Sequence, residues 1–179
     1  MTLTRAAGVA APLIYLVAVI GGGAVTPGYD HIGMAISELM AGYVGPWWLY
    51  GLLVLYNLLL GLFGAGRRNW ALLVSAGLGL ALLALPMDVP GTALTDIGLA
   101  HIVLAGLASL ASMTAIAAGA LGAGGRTSLF SWLALLVVLV SGGLAALGTA
   151  QGWPIAGLLE RLTIGTFLAW VLGFALATA

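Results

Sequence analysis

Asp30, His31, Ser37 and Glu38 lie together in a polar stretch, residues 29–48, between two long apolar runs. Asp88 and His101 lie around a proline-bearing turn and the helix that follows it, and Glu160 is followed directly by Arg161. These residue types support three kinds of chemistry. His31, Glu38, Asp88 and His101 are nitrogen and oxygen donors of the kind zinc accepts, and a catalytic zinc needs three such ligands plus a water. Ser37 as nucleophile, with His101 as base and an acid to orient it, is the second route. Neither set has the spacing of His-Glu-x-x-His. Glu38 directly follows Ser37, so on a helix it points away from it. The third chemistry is recognition: Tyr29, His31, Ser37, Glu38, Asp88, His101 and Glu160 line a polar site, and the planar fork of Arg161 suits a phosphate. The chain has no cysteine, which excludes thiolate ligands, disulfides and cysteine nucleophiles.

Each of these residues also has a purely structural reading. His101 at an interface bonds a backbone carbonyl, Asp96 or Thr95 caps a helix, and Asp88 closes a turn. Glu160 and Arg161 cannot face one another as helix neighbours, so they form a network with partners elsewhere, Arg161 reaching Glu38, Asp88 or Asp96. Trp47, Trp48, Tyr29, Tyr43 and Trp153 read as an interfacial aromatic belt. Asn57 reads as a helix–helix hydrogen bond.

The elements that must position these groups follow from composition. The chain is 63% hydrophobic and 6% charged, with mean hydropathy +1.20. Soluble domains carry about 25% charged residues, so lipid is the solvent for most of this surface. With zero net charge and no basic run, nucleic acid is excluded as a partner; membrane lipid is the expected one. Six apolar segments, 6–25, 46–64, 70–86, 97–121, 129–147 and 155–178, each approach the ~20 residues that cross a bilayer. The expected fold is therefore all-α, a single domain (1–179) of six transmembrane helices. The first segment reads as a retained span rather than a signal peptide. Pro86 ends the third, Pro90-Gly91 breaks the chain after it, and Pro46 and Pro154 mark helix starts. Gly79, Gly106 and the small-residue run 115–125 read as helix-packing faces.

Arg5, Arg67, Arg68 and Arg126 fall on alternate connections, which the positive-inside rule makes cytoplasmic together with both termini. All five acids and both histidines then fall at the outer ends, and Arg161 is the lone outer arginine. Residues 30–40 read as a short outer helix with His31 and Glu38 on one face, seven apart. His101, about six residues past its cap, lies roughly 9 Å into its helix.

At this point the residues resemble a known family. Ile36-Ser37-Glu38-Leu39 with Gly45-Pro46, the lead-in Pro27-Gly28-Tyr29, the turn Leu85-Pro86-Met87-Asp88 and the helix start Gly98-Leu99-Ala100-His101 are similar to the motifs of a prokaryotic six-span membrane family, domain of unknown function 998. Leu85 stands where an aromatic is common, and the cysteine some members carry after the turn is missing. The resemblance implies that Ser37, Glu38, Asp88 and His101 share a site; it implies no activity. Two functions follow: an outward-facing pocket for a lipid headgroup or small polar ligand at the outer leaflet, or an intramembrane hydrolase of a lipid ester or amide, zinc being its possible cofactor. Transport is disfavoured, because Asn57 is the only strongly polar group expected near mid-membrane.

Overall fold

In the structure, a computed structural model, residues 2–43, 45–89 and 91–177 are described, with the backbone alone for 42 and 43. Pro90, the side chain of Tyr43 and the expected end of the last span at 178 lie outside that description. The described chain is helical: α1 (Leu3–Val25), a 3-10 helix (Ile36–Tyr43), α2 (Trp47–Gly66), α3 (Trp70–Ala84), α4 (Asp96–Gly122), α5 (Gly125–Gln151) and α6 (Ala156–Ala177). Each helix packs on the next in sequence, and α6 returns to α1, closing the bundle. Connections as short as Arg67–Asn69 and Ala123–Gly124 leave consecutive helices no choice but to run antiparallel.

Proline and polar caps set several of the helix ends. α3 stops at Ala84 with Leu85 extended, because the residue before Pro86 is pushed out of helical backbone. Pro46 is the extended residue preceding α2. The Thr95 hydroxyl accepts from Gly98 N–H and caps α4, leaving Asp96 exposed in the first turn, where a negative charge suits the helix dipole. Asn69 caps α3 through Leu72 N–H and donates to the Ala115 carbonyl of α4, tying two helices together.

The core runs through all six helices, from Ala11 of α1 through Leu60, Leu72, Ile116 and Val138 to Trp170 of α6. The outward positions are apolar as well: Leu58, Leu110, Leu136 and Leu139 are each more than half exposed. A chain apolar on both its inner and outer faces is a multi-pass membrane protein. Among the described residues, five helices are long and apolar enough to cross a bilayer. The third segment, expected as a full span, is a helix of only 15 residues, about 22 Å at the α-helical rise.

Packing corrects three other expectations. Asn57 donates to the Leu53 carbonyl of its own helix at 2.8 Å, not across to another, and it packs against Gly79 of α3. Gly106 faces open space, whereas Gly119 seats Trp170, as a packing face should. Residues 30–35 form turns instead of helix. Asp30 is the cause: its carboxylate takes Ile32 and Gly33 N–H at 2.9 Å each, offering the backbone an alternative to helical bonding. His31 therefore shares no helical face with Glu38.

Candidate functional site

The acids, both histidines and Arg161 do gather at one end of the bundle, opposite the end that holds Arg5, Arg67 and Arg68. Residues 29–35 cross the start of α6. The first N–H groups of a helix have no intrahelical partner, and here Gly157 and Leu158 give theirs to the Gly33 and Ile32 carbonyls, the second at 2.8 Å. A Cβ at Gly157 would collide with the Met34 carbonyl, so only glycine lets the loop lie this close.

Arg161 then fixes the loop from α6. Its Nη1 donates to the Met34 and Gly157 carbonyls at 2.9 Å each, its Nη2 donates to the Tyr29 hydroxyl, and its guanidinium lies 5.5 Å from the Tyr29 ring centre. Tyr29 passes the chain on, donating to the Ala35 carbonyl at 2.9 Å. The expected carboxylate partners are replaced by carbonyl dipoles and a phenol. Burial pushes the Tyr29 hydroxyl up to about 12 against the pull of Arg161. Asp30, exposed, is lowered by its two backbone N–H donors.

Two glutamates meet the start of the 3-10 helix. Glu38 Oε1 accepts from Ala35 N–H at 2.8 Å while Glu38 N–H bonds the Ala35 carbonyl, the carboxylate supplying the acidic half of a capping box. Glu160 Oε2 accepts from the next amide, Ile36 N–H, at 2.7 Å. Consecutive amides thus bring a carboxylate of the 3-10 helix and an α6 carboxylate side by side, with one oxygen of each making no hydrogen bond among the described residues.

The second half of the cluster lies across the bundle end. Asp88 takes both Thr95 N–H and Thr95 Oγ1 at 2.8 Å, closing the α3–α4 connection over Gly98, where a Cβ would strike its carboxylate. His101, buried, meets the Leu85 carbonyl through Nδ1 at 2.6 Å. Ser37 Oγ donates to Met87 Sδ at 3.1 Å and joins the two halves. Serine and His101 are therefore each engaged elsewhere, not with one another. His31 stands edge-on to Tyr29, 5.1 Å between ring centres, and fills the space over Gly23. Among the described residues no three of His, Asp and Glu gather as a metal would require. Of the expected aromatic belt, Trp47 is 85% exposed and Trp153, one edge on Gly148, is 36% exposed, whereas Trp48 and Tyr29 pack on Gly21 and Arg161.

A family model described as a protein of unknown function, DUF998, matches residues 9–177. The chain belongs to the DUF998 family. No curated protein and no solved structure matches it. In this DUF998 chain the Ile-Ser-Glu-Leu run forms the first half of the 3-10 helix, the Pro86–Asp88 turn lies against it through Ser37 and Met87, and Gly98 and His101 serve that turn. Sequence reading missed two hollows at the arginine end of this DUF998 bundle, of about 410 and 250 Å³; glycines and alanines that leave space open look the same in sequence as those that close it.

Proposed function

We propose that this is a six-span protein of the cell membrane, its arginine end cytoplasmic, that holds an amine-bearing lipid headgroup or small polar cation at the opposite, extracytoplasmic end. One observation carries the reading: Glu38 and Glu160, fixed on consecutive amides, each keep an oxygen without a hydrogen-bond donor among the described residues. A carboxylate is an acceptor on both oxygens, and an ammonium brings three N–H donors and no acceptor. Arg161 turns its Nη1 and Nη2 groups to Met34, Gly157 and Tyr29 instead, and among the described residues only its Nε is left without a partner. The same occupancy turns the reading away from a phosphate on Arg161 and towards the cationic part of a headgroup. The sixth crossing is supported by α3 packing between α2 and α4 and by the arginines and acids gathering at opposite bundle ends.

The test is lipid selection. Wild-type protein in nanodiscs of mixed phosphatidylethanolamine, phosphatidylcholine and phosphatidylglycerol should retain the primary-amine lipid above its bulk share after delipidation, read by mass spectrometry. The Glu38→Gln/Glu160→Gln double variant should retain the bulk mixture. A bulk-like mixture on folded wild-type protein sinks the proposal.

A further inference from the structure

The hollows at the arginine end lie apart from the glutamate pair, and neither glutamate lines them. The 410 Å³ hollow opens where the α2–α3 turn meets the ends of α4 and α6; Arg67 and Arg68 reach its wall, Gly122 leaves open space beside it, and Phe174 closes one side. The 250 Å³ hollow adjoins it, sharing Gly66 and Arg67 and adding Arg5. Three of the chain's five arginines thus border two neighbouring spaces, and among the described residues no carboxylate side chain lines either. Arg5 reaches the Leu176 carbonyl with Nη2 at 3.4 Å, but its Nε is buried without a partner among the described residues.

Arg68 supplies the second observation. Its φ is +53°, and it is the only non-glycine residue with positive φ among those described. It sits just after the C-cap of α2, a position where helices favour glycine because a Cβ is strained there. An arginine held in a glycine's conformation beside a hollow with another arginine in its wall is the pattern of a side chain retained for what it contacts. Guanidinium forks match the paired oxygens of a phosphate, and basic recesses at the ends of membrane helices lie at the depth of lipid phosphates.

We propose that this recess binds a phosphate-bearing anion through Arg67 and Arg68, with Arg5 at its rim. The probes are dioleoyl phosphatidic acid in phosphatidylcholine nanodiscs and, separately, inorganic phosphate in detergent, with thermal unfolding as the readout. Wild type should gain about 3–5 °C with a saturating anion, the shift expected when occupancy well above Kd stabilises a chain of this size. Arg68→Gly relieves the backbone strain, so its midpoint without anion should equal or exceed wild type while its gain disappears. Arg126→Gln, which removes an exposed arginine outside the hollow, should keep the gain.

A gain with phosphatidic acid alone assigns a lipid phosphate, and a gain with both probes or with inorganic phosphate alone assigns a free anion. No gain with either, an undiminished gain in Arg68→Gly, or equal loss in Arg126→Gln overturns the proposal. The last result would make the arginines a diffuse basic surface. Glu38 and Glu160 take no part, so this proposal and the amine-headgroup reading fail separately.

Discussion

Tyr29 shows why residue types alone under-describe this end of the molecule. As a sequence feature it is one aromatic in a lead-in. In the fold it joins Arg161 of α6 to the Ala35 carbonyl, and so couples a helix to the start of the 3-10 helix. Sequence patterning identified the polar cluster because acids and histidines are rare in an apolar chain. The partners stayed hidden, because most are backbone groups of Met34, Ala35, Ile36 and Leu85, which every residue carries alike. The protonation of Tyr29 gives this linkage a pH signature. The folded hydroxyl keeps its proton to about 12, above the ordinary value of 10.0, so the unfolded chain releases a proton that the fold retains. Its contribution is complete below about pH 10 and is lost as pH rises towards 12. Asp30 acts in the opposite sense: lowered below 3.8 by Ile32 and Gly33, it stabilises above that value, and the contribution disappears as pH falls through the lower folded value. Thermal midpoints against pH should show a plateau with two falling limbs. Tyr29→Phe should flatten the alkaline limb and Asp30→Asn the acidic one; a variant limb identical to wild type would refute the corresponding linkage.

At the scale of elements, helix ends were legible wherever a proline or a capping side chain fixes them, as at Leu85, Pro46 and Thr95. The loop over α6 was not. Helical propensity across residues 30–35 gives way to an Asp30 side chain that captures two amides and to α6 N–H groups that need the Ile32 and Gly33 carbonyls. Such needs belong to another element and leave no local trace. Two glycines separate a close approach from empty space. Gly157→Ala sets a methyl against the Met34 carbonyl, which is backbone and cannot swing aside. It should destabilise by about 1–3 kcal/mol, the range for overpacked sites, and speed amide exchange at Leu158 as the loop lifts. Gly106→Ala meets nothing within 4 Å and should be neutral or stabilising by up to about 1 kcal/mol, since alanine is the better helix former. Equal effects from the two substitutions would show that the loop does not rest on Gly157.

The membrane class of the whole molecule was legible from composition alone, because ten charges cannot cover a soluble globule of 179 residues. The crossing number turns on α3. At 15 residues it falls short of the ~30 Å hydrocarbon by roughly a quarter, and the chain continues through extended Leu85. Non-helical backbone at membrane depth persists only where protein satisfies it, and His101 does so, bonding the Leu85 carbonyl at 2.6 Å. That arrangement would let a short helix complete a crossing by way of its covered tail, and it gives His101 a reason to be buried that needs no catalysis. The absence of cysteine makes the crossing directly testable. Trp70, 72% exposed at the start of α3, and Leu94, 61% exposed beyond its end, become single reporters as Trp70→Cys and Leu94→Cys. In intact cells a membrane-impermeant maleimide should label Leu94→Cys at once and Trp70→Cys only after permeabilisation. Labelling of both from one side would make α3 a re-entrant helix. The arginine and acid ends could not then face opposite sides of the membrane throughout, and the extracytoplasmic placement of the glutamate pair would fall with the sixth span.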